Sequence, residues 1–173
     1  SKTTSLVTTF EPSQSSKPGV HDMSKIRKYV KSGSGTKIVR AKVDSVAAIS
    51  VASRNTFPGY KIAPTYESEN GIEYTAASGH TIPDEGIRHP IVKTKSGDIR
   101  GLSMRVAETT VPLISVFDMI NKDQRVVFDR DDSYVEHRKT GKRIKIEWQG
   151  HNPVIEFTAL DPLDEDIQVP MLA

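Results

Sequence analysis

Residues 37–48 read KIVRAKVDSVAA, in which a strand signal is followed by an aspartate and a serine. Val39, Ala41 and Val43 alternate with basic residues in the period of two that is typical of a half-buried strand. Asp44 and Ser45 follow at once. The pattern therefore predicts a carboxylate and a hydroxyl in a turn at the end of this strand.

Short apolar runs with a similar alternation occur along most of the remaining chain. They lie at residues 49–51, 72–76, 87–91, 102–106, 126–128, 134–135, 144–148 and 154–157. Residues 139–142 (KTGK) carry the signal of a β-hairpin turn. The segment 112–121 departs from this rhythm, because Leu113, Val116, Phe117 and Ile120 have the spacing of one helical face behind a proline. We therefore predict a mainly β domain, a closed barrel or sandwich of short strands with one short helix.

Composition divides the chain into three parts. Residues 1–35 are rich in Ser and Thr and are basic, with a predicted short helix at 24–31 and a Ser/Gly hinge at 32–35. Residues 36–160 form the predicted β domain. Residues 161–173 form a predicted acidic tail. We expect the first and last parts to be extended and to become ordered on partner surfaces.

The charges are distributed unevenly. Residues 1–42 hold nine Lys and Arg against two acids, whereas residues 156–173 hold five acids and no base. A basic arm can bind nucleic acid, anionic lipid or an acidic protein surface, but we favour a solvated or targeting-derived arm. A trimmed leader would place the protein inside the cell, in an organelle such as a mitochondrion or plastid.

Several classes of protein are excluded by composition. The chain has no cysteine, which excludes a disulfide scaffold and a thiolate metal site. It has no run near the roughly 18 apolar residues of a membrane-spanning helix. Its five histidines show no metal-ligand spacing, and neither a nucleophile elbow nor a phosphate-binding loop is present. We therefore predict no metal and no cofactor.

Four landmarks in order resemble the retropepsin-like proteases of retrotransposon polyproteins, especially the copia type. They are residues 43–48 (VDSVAA), 74–86 (YTAASGHTIPDEG), 112–116 (PLISV) and 126–141, which includes VVFD, SYV and KTG. The resemblance covers about residues 37–148. It implies that the first landmark is the active-site turn, the second a flap hairpin and the third a helix-forming segment after the sheet.

The resemblance assigns candidate roles to particular residues. Asp44 would be catalytic, and Ser45 would hydrogen-bond across a two-fold axis. Val46 and Ala47 would line the substrate strand, and Ser78, Gly79 and His80 would close over it. Hydrolysis by carboxylates needs two aspartates that share one proton, so an active enzyme would be a homodimer with one Asp44 from each subunit. The other candidate carboxylates are interpreted as solvated charges: Asp98, Asp118, Asp129, Asp131 and Asp132.

Val46 departs from the family pattern, which has glycine at this position. A β-branched side chain there should block the substrate and restrict the turn. We therefore predict a catalytically degenerate domain, a structural or interaction subunit that contacts other subunits of a larger assembly through its two tails. The alternative is an active homodimeric aspartic endopeptidase.

Overall fold

The computed structural model describes residues 37–162 and 168–173, together with the backbone of residues 3–5. Within these ranges the chain is mainly β, as predicted. The strands are β1 (Thr3–Ser5), β2 (Lys37–Asp44), β3 (Val51–Ala52), β4 (Glu73–Thr75), β5 (Thr81–Pro83), β6 (Ile87–Arg88), β7 (Ile91–Thr94), β8 (Ile99–Gly101), β9 (Met104–Val106), β10 (Leu113–Ser115), β11 (Gln124–Val127), β12 (Ser133–His137), β13 (Arg143–Gln149) and β14 (Asn152–Ala159). The short helices are α1 (Tyr66–Glu69) and α2 (Val116–Ile120). The predicted basic helix at 24–31 and the hinge at 32–35 lie outside the described residues.

Most strands belong to one sheet, in the order β11-β12-β13-β14-β2-β10-β3-β9-β6, and β7 joins β14 to β8. A smaller sheet has the order β1-β4-β5. The prediction of a closed barrel is wrong, because in the described residues the two ends of the large sheet do not pair. At one end, β6 has only two residues, and its outer edge is bonded to Ala63, whose amide donates to the Ile87 carbonyl at 2.8 Å and whose carbonyl accepts from the Ile87 amide at 2.9 Å.

The centre of the large sheet is the long antiparallel pair of β2 and β14. Val39 is opposite Phe157 and Ala41 is opposite Ile155, and all four side chains are buried in one cluster. The alternation in residues 37–44 therefore correctly predicted which side chains of β2 face the core. The pairing leaves Asp44 at the end of a strand that is held along its length.

The helix predicted across residues 113–120 starts later than the spacing indicated. Leu113–Ser115 is the strand β10, and α2 begins only at Val116. Phe117 and Ile120, which were expected on the buried face, are 47% and 51% exposed. The strand forms because the backbone of β10 finds partners on both sides, β2 in parallel and β3 in antiparallel orientation.

The described end of the chain is not an extended tail, in contrast to the prediction for 161–173. Residues 168–173 run beside β8, where the Gly101 amide donates to the Pro170 carbonyl and the Leu172 amide donates to the Gly101 carbonyl, each at 2.9 Å. Leu172 and Ala173 are buried. Burial of these apolar side chains holds the segment against β8. The acidic residues that precede it in the sequence led to the prediction of an extended acidic tail.

Ile114 provides a test of the insertion of β10. Its side chain is fully buried, so Ile114→Ala should lower the free energy of unfolding by about 2–5 kcal/mol through lost burial and a cavity. Ile38→Ala, at a position 55% exposed, is the control and should change it by about 0.5 kcal/mol or less. Urea denaturation measures both. Equal effects of the two substitutions would contradict the burial of β10.

Candidate functional site

Asp44 lies at the end of β2 and organises the turn that follows. Its Oδ1 accepts hydrogen bonds from the amides of Val46 at 2.9 Å and Ala47 at 3.1 Å. An aspartate that bonds the backbone two and three residues ahead fixes a tight turn. Asp44 is half-buried, Ser45 and Val46 are exposed, and Ala47 is buried. The carboxylate predicted at a turn is therefore there, with one oxygen committed to the backbone.

Val46 fits this turn without a backbone conformation that requires glycine. In the described residues the only non-glycine residue with positive φ is Asp123. The Val46 side chain is 55% exposed and projects from the turn. Val46 therefore affects the site through the volume of its side chain. The predicted restriction of the turn by a β-branched residue is not needed to account for this effect.

Strand β10 lies between β2 and β3, the two strands that the Asp44 turn connects. Ser115 is in register with Asp44, and Leu113 is in register with both Lys42 of β2 and Val51 of β3. The ends of the turn are thereby fastened to one central strand. The first and third landmarks of the sequence resemblance are brought together at this point.

The Ser115 hydroxyl joins the turn to the start of α2. It donates to the Ala47 carbonyl at 2.8 Å and accepts from the Asp118 amide at 3.2 Å as the N-cap of the helix. The Ser115 amide in turn donates to Ser50 Oγ at 3.0 Å. One buried side chain therefore serves the turn and the helix together.

Asp118 is not a solvated charge, which corrects the prediction for this residue. Its Oδ2 accepts from the Ser50 amide at 2.8 Å and from the Ser50 hydroxyl at 2.7 Å. Burial raises the pKa of the Asp118 carboxyl, while these two hydrogen bonds act in the opposite direction. The pattern Ser115-x-x-Asp118 is a recognisable helix-start signal, but the sequence does not show that the carboxylate reaches Ser50.

Ser78, Gly79 and His80 form the exposed tip of the hairpin β4–β5. The Gly79 amide donates to the Ala76 carbonyl, and the Ala76 amide donates to the His80 carbonyl, each at 2.9 Å. Gly79 has φ +85°, a conformation in which glycine is favoured. A hairpin is therefore present where the sequence predicted one. No hydrogen bond in the described residues links its tip to the Asp44 turn.

The base of the hairpin, in contrast, packs close to the end of the turn. Tyr74 is fully buried in a cluster with Ile49, Val51 and Ala107. Its hydroxyl donates to Asp84 Oδ2, and the Gly86 amide donates to Asp84 Oδ1 at 2.8 Å. This carboxylate, which sequence reasoning missed, ties the two ends of the hairpin together.

Asp84 and Tyr74 are an unusual pair of buried ionisable groups. Burial raises the pKa of the Asp84 carboxyl, although the bonds from Tyr74 and Gly86 and the charge of Arg105 act against this rise. Burial and the adjacent Asp84 also raise the pKa of the Tyr74 hydroxyl, so it stays protonated as a donor. Arg105 is itself buried and forms a 3.2 Å ion pair with Glu67.

Comparison with known proteins gave no match to a family model, to a curated protein or to a solved structure.

Neither a metal-binding group nor a membrane-spanning helix is found in the described part of the chain. Residues 37–162 and 168–173 contain no group of three His, Asp or Glu side chains placed to hold a metal ion. Helices long and apolar enough to cross a bilayer are likewise absent from these residues.

Ser115→Ala tests whether one hydroxyl holds the turn and the helix together. The substitution deprives the Ala47 carbonyl and the Asp118 amide of this partner, so the free energy of unfolding should fall by about 1–3 kcal/mol. Ser45→Ala is the matched control, because Ser45 is exposed and makes no hydrogen bond to the described residues. Chemical denaturation of both variants is the measurement. A loss at Ser45 as large as that at Ser115 would be inconsistent with this network.

Tyr74→Phe tests the buried hydrogen bond to Asp84. Loss of the donor should reduce the free energy of unfolding by about 1–3 kcal/mol at neutral pH. Because the folded-state pKa of Asp84 is raised, stability falls as pH rises from the unfolded-state pKa through the folded-state pKa. Removing Tyr74 raises that pKa further, so the deficit should shrink as the pH is lowered from neutral and Asp84 takes up a proton.

Urea denaturation at several pH values measures this deficit. Tyr134→Phe is the control, since the Tyr134 ring lies 3.9 Å below the Arg143 guanidinium and its hydroxyl makes no hydrogen bond to the described residues. A deficit for Tyr74→Phe that stays constant across this pH range would refute the pairing with Asp84.

Proposed function

We propose that this chain is a retropepsin-like domain that no longer hydrolyses peptides and serves as a structural or interaction subunit of a larger assembly. The order of the four sequence landmarks supports the family. The hydrogen-bonded contact of β10 and α2 with the Asp44 turn is consistent with it. The observation that carries the loss of hydrolysis is the Val46 side chain, which projects from the turn two residues after Asp44.

Access of a peptide to Asp44 is the step that Val46 obstructs. An extended substrate must approach the backbone of the turn closely enough to bring its scissile carbonyl to the carboxylate. A glycine would leave that backbone open, whereas the branched side chain of Val46 covers it. The obstruction is steric, since the Val46 backbone does not adopt a positive φ.

Activation of water is the second requirement. Two carboxylates that share a proton are needed, and the described residues offer Asp44 no carboxylate partner in any hydrogen bond. A second copy of the chain would have to supply one. Such a dimer would also place two Val46 side chains at the same cleft, which doubles the obstruction.

Asp44 has a structural role that does not depend on catalysis. Its Oδ1 accepts the two amides that close the turn, and the same turn is fastened to Ser115 through Ala47. Loss of these bonds would leave backbone donors without partners. This role explains how Asp44 can remain in a domain whose substrate surface is blocked.

A structural subunit needs surfaces that contact partners. The described residues 168–173 pack on their own domain beside Gly101, so they are not extended as the prediction of a C-terminal tail implied. Phe117 and Ile120 are exposed one turn apart on α2, next to the Asp44 turn. They are candidates for partner contacts together with the N-terminal arm.

The alternative function is an active homodimeric aspartic endopeptidase. The exposed Ser45 and the well-supported Asp44 turn favour it, because both are needed for hydrolysis. It differs from the proposed function in one measurable property, cleavage that depends on Asp44.

The test compares the full-length protein with two variants on a mixed peptide library at about pH 4 to 6, where a carboxylate pair holds one proton. The wild-type protein should not cleave. Asp44→Asn is the matched control, because its side-chain oxygen can still accept the Val46 and Ala47 amides. Val46→Gly should gain Asp44-dependent cleavage if the obstruction is the only defect.

Cleavage by the wild-type protein that disappears in Asp44→Asn would overturn the proposed function and establish the endopeptidase. An inactive Val46→Gly variant would show that the defect extends beyond the turn.

A further inference from the structure

The hairpin β4–β5 has two edges with different capacities for backbone pairing. The Asp84 amide donates to the Ile72 carbonyl, and the Ala76 amide donates to the His80 carbonyl. In an antiparallel pair, residues with amides directed at the partner strand alternate. The amides of Ile72, Tyr74 and Ala76 therefore point to β5, whereas the amides of Glu73 and Thr75 point to the outer edge of β4.

The outer edge of β5 lacks one of its amide donors. Pro83 lies opposite Glu73, at a position whose amide would point away from β4, and proline has no amide hydrogen to donate. Proline on an edge strand is one of the devices that prevent pairing with another chain. None of the three residues of β4, Glu73, Tyr74 and Thr75, is a proline, so its outer edge keeps its amide donors.

Strand β1 occupies that open edge in parallel orientation. Thr3 is opposite Glu73, Thr4 opposite Tyr74 and Ser5 opposite Thr75. In a parallel pair, a residue bonds to both neighbours of the residue opposite. Since the Thr75 amide points outwards, Thr4 is placed to accept from it and to donate to the Glu73 carbonyl.

We propose that the outer edge of β4 is a strand-acceptor site for an extended peptide, and that Thr3–Ser5 of the same chain is its tethered donor. Backbone hydrogen bonds supply most of the binding energy in this mode of recognition. A third strand on this edge adds backbone hydrogen bonds to a hairpin that already packs on the domain through Tyr74. A free peptide with the sequence of the donor can take its place. This inference holds whether or not the domain cleaves peptides.

The first test is a substitution in the full chain that removes the donor's inward amide. Thr4→Pro should make the Thr75 amide exchange with solvent about ten-fold faster or more, since the bonds of β1 to β4 are lost together. Thr3→Pro is the matched control: Thr3 begins the strand and its amide points away from β4, so exchange at Thr75 should stay near the wild-type rate. Unchanged exchange at Thr75 in Thr4→Pro would overturn the proposal.

The second test restores the strand from outside. A synthetic peptide of residues 1–8 (SKTTSLVT), added to Thr4→Pro, should return the Thr75 exchange rate to the wild-type value. The same peptide with proline in place of Thr4 should not. Failure of the unmodified peptide at millimolar concentration would refute an acceptor site. Wild-type protection that increases with protein concentration would overturn the assignment of the donor to the same chain.

Discussion

The buried hydroxyl of Ser115 and the strand that ends with it hold the candidate site together. β10 lies between the two strands that the Asp44 turn connects, and its last residue bonds the turn through Ala47 and the helix through Asp118. Ser50 completes the connection by bonding both the Ser115 amide and the Asp118 carboxylate. The position of Asp44 therefore depends on a segment about 70 residues further along the chain.

Local patterns correctly predicted the elements whose residues keep the same partners along their whole length. The alternation in β2 correctly gave its buried face, and the KTGK turn joins β12 and β13 as expected, with Gly141 at φ +69°. β10 was missed because its apolar residues also fit a helical face. Short apolar runs are ambiguous in this way, and here two neighbouring strands determined the outcome.

The supporting carboxylates could not be found from the sequence, for a similar reason. Asp84 and Asp118 have no unusual neighbours in sequence, and their roles come from Tyr74 and Ser50, which the fold brings to them. Each is stabilised by hydrogen bonds that compensate for burial. The apolar end of the chain was likewise obscured by acidic residues, although Leu172 and Ala173 are buried.

The sequence resemblance and the structure lead to the same residue from different directions. The resemblance marks Val46 as a departure from glycine, and the structure gives its side chain an exposed position beside a well-supported carboxylate. The turn thus holds Asp44 in place, and we propose that the Val46 side chain denies a peptide access to it. A crystal structure of the full chain tests whether Val46 keeps a peptide away from Asp44. The crystals are grown with a peptide that carries a non-cleavable hydroxyl isostere. We expect Val46 to project from an unchanged turn with no peptide over Asp44, whereas two Asp44 carboxylates facing each other across a two-fold axis, with the peptide bound between them, would contradict our interpretation.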